Sequence, residues 1–169
     1  PTSGNVYIDG TDIYRLNRSK LAIFRRRQIG LIYQFYNLIP VLDVEENIML
    51  PLLLDGRKED KARLNELLTT LGLMDRAKHL PNQLSGGQQQ RVAIGRALIT
   101  NPALILADEP TGNLDSKNSA EIIELLKMYN QRYKQTLIIV THDERIALQA
   151  SRIISLEDGK IISDEVIRP

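Results

Sequence analysis

Apolar and polar residues alternate along this chain in two different periods. Short apolar runs without charged side chains occur at residues 29–33, 103–107 and 136–141, and such runs are typical of strands buried between helix layers. The longer segments between them carry apolar residues three or four positions apart, which is the spacing of amphipathic helices. This alternation predicts an α/β fold with a largely parallel sheet and helices on both faces.

Cap and turn residues set the expected ends of these elements. Helices are predicted at residues 17–27, 43–50, 60–71, 75–80, 86–100, 116–133 and 143–150. Asp43 and Glu46 predict a capping box for the second of these helices, and Pro51 is expected to interrupt it. A half-exposed strand is predicted at residues 5–10, and Asp158-Gly159 predicts a hairpin turn between two late strands.

Composition excludes several classes of protein. The 169 residues are enough for one domain, and 22 basic against 21 acidic residues argue against a general nucleic-acid binder. The only dense basic cluster, Arg25-Arg26-Arg27, is expected to be a solvated helix face. The absence of Cys removes disulfides and Cys-based zinc sites. No apolar run approaches the roughly 20 residues of a membrane span, so we expect any role at a membrane to depend on a partner.

Asp108-Glu109 follows the apolar run at residues 103–107. Ligands of open parallel sheets bind beyond the carboxyl ends of the strands, where this pair is expected to lie. An Asp there can hold Mg²⁺ directly or through water, and the adjacent Glu can orient or deprotonate an attacking water. The alternative is an acidic strand end that is simply solvated.

Ser85-Gly86-Gly87 precedes the predicted helix at residues 86–100. Ser85 is a good N-cap, and the two glycines allow the backbone to approach a ligand closely. Free amide groups and the helix dipole favour an anion at such a position. The alternative is a glycine-rich helix start without a ligand, although the following Gln88-Gln89-Gln90 makes the string less common.

Three further polar residues follow predicted strands or loops. Gln34 ends the run at residues 29–33, and its amide could reach a metal or a water. His142 follows the last apolar run, where it could contact a phosphate oxygen or be merely structural. Asp115 either shapes the loop after Glu109 or caps the next helix.

In this order, these motifs resemble the nucleotide-binding domain of an ABC transporter. Gln34 matches the Q-loop, Leu84 to Gln88 the signature motif, and Leu104 to Asp108 the Walker B strand with Glu109 as catalytic glutamate. Asn113 to Asp115 matches the D-loop and His142 the switch histidine. The residues in and around these motifs resemble those of the subgroup that serves lipoprotein release, macrolide export and antimicrobial-peptide export or resistance. The antimicrobial-peptide type is the best match.

The resemblance implies a P-loop NTPase-like fold, ATP and Mg²⁺ as cofactors, and a head-to-tail homodimer with ATP between the copies. Asp108 and Gln34 would bind Mg²⁺, Glu109 would polarise water and His142 would contact the γ-phosphate. The residues Ser85, Gly86, Gly87, Gln88 and Asp115 would serve nucleotide held by the other copy.

The same resemblance implies a partner, a location and a division of the chain. A transmembrane permease would insert a short helix near residues 34–54 and hold the protein at the inner face of the membrane. Residues 1–42 would be a partial catalytic core, residues 43–100 a helical subdomain insert, and residues 101–169 the rest of the core.

One family feature is missing from these residues. No Gly-x-x-x-x-Gly-Lys-Ser/Thr phosphate loop, the Walker A motif, occurs among them. We therefore expect a fragment that lacks the N-terminal strands and Walker A and is itself inactive. The remaining alternatives are an ABC ATPase of DNA repair or translation, and a non-catalytic binding fragment.

Overall fold

A computed structural model describes residues 2–167 of the chain. In chain order the elements are β1 (Tyr7–Ile8), β2 (Thr11–Asp12), α1 (Arg18–Gln28), β3 (Ile29–Ile32), α2 (Val44–Leu54), α3 (Lys61–Thr70), α4 (Gly86–Leu98), β4 (Leu104–Asp108), α5 (Ser116–Tyr133), β5 (Thr136–Val140), α6 (Glu144–Ala147), β6 (Arg152–Glu157) and β7 (Lys160–Val166). The chain divides into two compact units between Ile139 and Val140. The division at residues 42 and 100 stays a prediction.

Three strands form one sheet in the order β3-β4-β5. β3 and β4 are parallel, with Ile29 opposite Leu104 and Ile32 opposite Ala107. Because they are in register, the loops after β3 and β4 leave the sheet side by side. The predicted α/β fold with a parallel sheet is confirmed, and this register brings the segment around Gln34 next to Asp108.

Burial differs between the two faces of this sheet. Ile32, Ile105 and Ala107 share one face and are at most 1% exposed. On the other face Leu31 is 44% exposed, and Ile138 of β5 is 48% exposed. The expectation that residues 136–141 form a strand buried on both faces is therefore wrong for β5, and β3, expected to be buried, is buried on one face only. An apolar run does not say which of its two faces a neighbouring element covers.

Four helices share one apolar cluster with the buried face of the sheet. α2, α3, α4 and α5 contribute residues such as Ile48, Leu67, Leu98 and Leu126 to one apolar cluster that also contains Ile105. These side chains are at most 1% exposed. Burial of this kind stabilises a fold by about 1.5–3 kcal/mol for each large aliphatic side chain.

The helix starts confirm the predicted caps, but one helix is longer than predicted. The side chain of Asp43 accepts from the Glu46 amide and the Glu46 carboxylate accepts from the Asp43 amide, each at 2.8 Å. α2 nevertheless continues through Pro51 to Leu54. Proline removes only one amide donor, and the burial of Leu52 keeps the next turn helical.

Three other predicted elements are shorter or placed differently. The strand predicted at residues 5–10 ends at Ile8, and Asp9 and Gly10 adopt positive φ and turn the chain into a small hairpin of β1 with β2. The short helix expected at residues 75–80 is absent: a 3₁₀ turn at Met74–Arg76 overlaps its start, and a second 3₁₀ turn follows at Pro81–Gln83. α6 ends at Ala147 instead of residue 150.

The basic cluster of α1 is exposed at Arg25 and Arg27, as expected, but Arg26 and Arg27 also form an ion pair with Asp55. Arg27 Nε lies 2.7 Å from a carboxylate oxygen of Asp55, and Arg26 Nη1 lies 3.4 Å from the other. The Asp55 side chain is only 3% exposed. Its hydrogen bond with Arg27 lowers the pKa of Asp55. The pair therefore ties α1 to the end of α2.

The second unit contains α6 and an antiparallel hairpin of β6 and β7. Asp158 and Gly159 have φ of +49° and +74°, so the predicted hairpin turn is confirmed. Arg152 and Asp164 form a two-pronged ion pair across the strands at 2.7 and 2.6 Å. Across residues 2–167, helices of the length and apolarity needed to traverse a bilayer do not occur.

Candidate functional site

Ser85 caps the N-terminus of α4. Its Oγ accepts from the Gln88 amide at 3.3 Å, and Gln88 Oε1 accepts from the Ser85 amide at 2.9 Å. The Gln88 side chain is thus the capping partner, and its contact with a ligand stays a prediction. Ser85 itself is exposed, Gly86 is partly exposed and Gly87 is buried.

The two glycines of this turn are held by close neighbours. A Cβ on Gly87 would lie 2.7 Å from Asn118 Oδ1, and a Cβ on Gly86 would lie 2.8 Å from Tyr36 Oη. A side chain at either position would therefore require the Asn118 or Tyr36 side chain to move. The backbone that could meet a ligand is packed against α5 on one side and the loop after β3 on the other.

Asp115 reaches the same place through Asn118. Its carboxylate accepts the Asn118 amide at 2.8 Å and the Asn118 side-chain NH₂ at 2.7 Å. The backbone bond from Asn118 lowers the pKa of Asp115, so the carboxylate is charged at neutral pH. Asp115 is the N-cap of α5, as the structural alternative predicted, and it also orients the Asn118 group against Gly87.

Asp108 and Glu109 lie at the carboxyl end of β4. Asp108 is the last residue of the strand and is exposed. Glu109 has φ of +45°, a left-handed conformation that costs of order 1–3 kcal/mol for a residue with a side chain. Its carbonyl accepts the Gly112 amide at 3.1 Å. A strained carboxylate residue at a strand end is typical of functional loops.

Gln34 follows β3 and is joined to the loop after β4. Its Nε2 lies 3.3 Å from Asn113 Oδ1, and Asn113 Nδ2 donates to the Gln34 carbonyl at 3.0 Å. A Cβ on Gly112 would lie 2.7 Å from Gln34 Nε2. The structure thus brings Gln34 to the segment that carries Glu109, as the parallel register requires.

Two residues of α4 that the sequence reasoning did not single out hold these loops. Gln90 is fully buried, and its Nε2 donates to the Pro110 carbonyl at 2.6 Å and to the Tyr33 carbonyl at 3.4 Å. Arg96 donates to the carbonyls of Tyr36 and Asn37 at 2.8 and 2.7 Å. The sequence feature that could have identified them is their position on the inner side of the predicted helix.

The surroundings of Arg96 are unusual for a cation. Burial lowers the pKa of its guanidinium, and its hydrogen-bond partners here are backbone carbonyls of the loop after β3. A charged donor makes the stronger class of hydrogen bond. Arg96 therefore fixes the course of this loop along α4.

His142 belongs to the second unit, where it is exposed between β5 and α6. The adjacent Asp143 caps α6, and its amide donates to Thr141 Oγ1 at 3.1 Å. The hydrogen bond from Arg145 lowers the pKa of Asp143 to about 2. The role of His142 stays a prediction.

The residues present fit Mg²⁺ only as a partial donor set. Among residues 2–167, no group of three or more His, Cys, Asp or Glu side chains could enclose a metal. Mg²⁺ does not need such a cage, because it keeps several waters and uses one or two carboxylates together with phosphate oxygens. Exposed Asp108 beside the Gln34 segment suits that mode of binding.

Comparison with known proteins gives extensive matches. A family model described as ABC transporter matches residues 1–112. The lipoprotein-releasing system ATP-binding protein LolD of Geobacter metallireducens is 48% identical over 166 residues, which cover 97% of this chain and 74% of that protein. The macrolide export ATP-binding/permease protein MacB of Bdellovibrio bacteriovorus is 49% identical over 167 residues, covering 98% of this chain and 25% of that protein.

A solved structure agrees with these sequences. The dimeric post-hydrolysis state of the ATP-binding cassette MJ0796, bound to ADP and Pi, has a TM-score of 0.87 and 45% identity. It covers 100% of this chain, which spans 75% of that one. The P-loop NTPase-like α/β fold is thereby confirmed. The chain belongs to the ABC transporter family, as an ATP-binding domain of the lipoprotein-release and macrolide-exporter subgroup whose full-length form is an ATPase.

Proposed function

We propose that the full-length protein containing this chain couples ATP hydrolysis to the export or detoxification of antimicrobial peptides or related amphiphiles. The observation that carries the proposal is the pairing of two chemically different surfaces in one unit. One is the capped glycine turn at Ser85, which offers backbone amides to an anion. The other is the sheet edge with Asp108 and Glu109, which offers carboxylates to a metal and a water.

Each site residue then has a separate task. Asp108 and Gln34 would hold Mg²⁺, which supplies charge neutralisation at the phosphates when bound. Glu109 would accept a proton from the attacking water, and His142 would donate to a phosphate oxygen. Support comes from the exposure of Asp108 and from the strained backbone at Glu109.

The glycine turn would act on nucleotide held by a second copy of the chain. Ser85, Gly86 and Gly87 would contact its γ-phosphate, while Gln88 and Asp115 would keep the turn and the neighbouring loop in shape. The dimeric assembly of the MJ0796 cassette with ADP and Pi supports this arrangement. We propose a homodimer for that reason.

A permease would bind beside the loop after β3. The groove there has a volume of about 400 Å³ and is lined by apolar residues of α2 and β3, including Leu50, Leu54 and Leu31, together with Arg25. An amphipathic helix with an acidic residue would suit this lining. The protein would then be peripheral at the inner face of the membrane through its permease.

Glu109→Gln in the full-length protein tests the assignment of activity. The substitution keeps the shape and removes the base, so we expect hydrolysis to fall by about 100-fold or more with ATP affinity nearly unchanged. Glu165→Gln on the exposed strand β7 is the control and should leave turnover as it was. Unchanged hydrolysis in Glu109→Gln would remove Glu109 from its role.

Residues 1–169 by themselves lack the Gly-x-x-x-x-Gly-Lys-Ser/Thr sequence that would supply most phosphate contacts. We propose that this polypeptide alone does not hydrolyse ATP measurably. Comparison of its turnover and its calorimetric ATP binding with those of the full-length protein tests this. Micromolar binding by the 169 residues alone would contradict it.

The transported class needs its own experiment. Cells that lack the protein should become more sensitive to cationic amphiphilic peptides if these are exported or detoxified. Unchanged peptide sensitivity with mislocalised lipoproteins would favour lipoprotein release instead. Failure to recover a membrane protein with the full-length chain from detergent-solubilised membranes would favour an ABC ATPase without a transport role.

A further inference from the structure

We infer that Gln90 is a positioning residue for Glu109, acting from the signature helix of the same chain. This inference rests on the proposed role of Glu109. It starts from the environment of the Gln90 side chain, which is 0% exposed and points its NH₂ group at two carbonyl oxygens. One belongs to Pro110, directly after Glu109, and the other to Tyr33, directly before Gln34.

The two acceptors identify the group required at this position. Both are carbonyl oxygens from separate loops, and the planar amide NH₂ supplies one hydrogen to each. They also settle which end of the amide is nitrogen, because Oε1 in that place would face two other oxygens. A buried carbonyl that loses its donor is costly, so the Gln90 amide determines whether the Pro110 loop keeps this position.

The bond to Pro110 acts on a backbone that needs restraint. Glu109 has φ of +45°, and such a conformation persists only where the surroundings fix it. β4 holds the chain before Glu109, and the bond from the Gly112 amide closes a turn after it. Gln90 holds the intervening Pro110 carbonyl at 2.6 Å, so the turn is fixed from α4 as well.

This contact gives α4 two roles in one chain. Its N-terminus carries the Ser85 turn. Gln90, five residues further on, donates to the carbonyl directly before Gln34 and to the carbonyl directly after Glu109. A displacement of α4 therefore moves the Glu109 loop with it. Within one chain, Gln90 therefore links the position of α4 to the position of Glu109, the proposed base.

Two variants of nearly the same shape separate hydrogen-bond donation by Gln90 from the packing of its side chain. Gln90→Met removes the hydrogen-bond donor and replaces the amide by an apolar side chain of similar length. Gln90→Glu places oxygen against the two carbonyls and should be the more damaging change. Gln89→Met is the matched control, because Gln89 is on the same helix but donates to Leu84 of the capping turn instead.

The expected kinetic result in full-length protein is a loss in kcat without a matching change in KM for ATP. For Gln90→Met we expect kcat to fall by about tenfold or more, a part of the roughly 100-fold to 10,000-fold that a general base supplies. In the Glu109→Gln background, Gln90→Met should add little further loss, since both changes remove the same function. A kcat within about twofold of the parent would overturn the inference.

Hydrogen exchange gives a readout that does not need turnover. In the nucleotide-free protein, Gln90→Met should speed exchange at the Gly112 amide, which bonds to Glu109, while Gln89→Met should not. Equal exchange in the two variants would overturn the inference. If faster exchange at Gly112 came from a protein whose parent does not hydrolyse ATP, the tether would stand and only the proposed function would fail.

Discussion

Gln34 and Asn113 exchange two hydrogen bonds, from Gln34 Nε2 to Asn113 Oδ1 at 3.3 Å and from Asn113 Nδ2 to the Gln34 carbonyl at 3.0 Å. The two residues are far apart in sequence and meet because β3 and β4 lie in parallel register. The loops proposed to hold the metal and the water are thus one connected structure.

Asn113→Ala should reduce ATP turnover of the full-length protein by about threefold to tenfold, because Gln34 loses the partner that orients it. Its cost in stability should stay near 1–2 kcal/mol, since net hydrogen bonds at exposed sites are weak. Steady-state turnover with urea unfolding measures both. Asn82→Ala, in the exposed turn before α4, is the control. Equal turnover in the two variants would show that the tie does not orient Gln34.

Asn47→Leu should destabilise the protein by about 2–4 kcal/mol, because it leaves several backbone groups without partners. Asn47 is fully buried, accepts the Ile39 amide at 2.8 Å and donates to the carbonyls of Ile39 and Leu42 at 3.1 and 2.8 Å. A shift of the urea midpoint with an unchanged slope would measure it. Asn65→Leu, exposed on α3, should change stability by less than about 0.5 kcal/mol. Equal midpoints would contradict the assigned role.

Asp143→Asn should reduce the loss of stability in acid. The hydrogen bond from Arg145 lowers the pKa of Asp143 from 3.8 to about 2 in the folded protein. A lowered folded pKa stabilises the folded state above the unfolded value, and this contribution is lost as the pH falls from about 4 towards 2. Thermal midpoints between those pH values should therefore fall less steeply for Asp143→Asn than for the parent or Glu144→Gln. Identical acid slopes would contradict the pairing with Arg145.

The sequence predicted the elements of this fold better than their environments. The caps at Asp43, Ser85 and Asp115 follow from short-range hydrogen bonds, so local residues were sufficient. The exposure of Ile138 and the continuation of α2 through Pro51 depend on which elements pack nearby. The spacing of apolar residues along the chain does not show this.

The residues of the site also differ in whether local sequence or distant contacts determine their role. Asp108, Glu109 and Ser85 could be singled out because strand ends and helix starts are readable from local pattern. Gln90 and Arg96 could not, since each acts on carbonyl oxygens of residues distant in sequence. A glutamine or arginine on the inner side of a helix was the only available signal, and it does not name the partner.

The most direct test of the central claim uses dimers of the full-length protein whose two copies carry different substitutions. In one dimer, Ser85→Arg and Glu109→Gln lie on opposite copies; in the other, both lie on the same copy beside an unmodified one. If Ser85 of one copy serves nucleotide at Glu109 of the other, the first dimer keeps one intact site and about half the turnover, and the second loses nearly all of it. The reverse result, with activity retained only when both substitutions share a copy, would contradict the account.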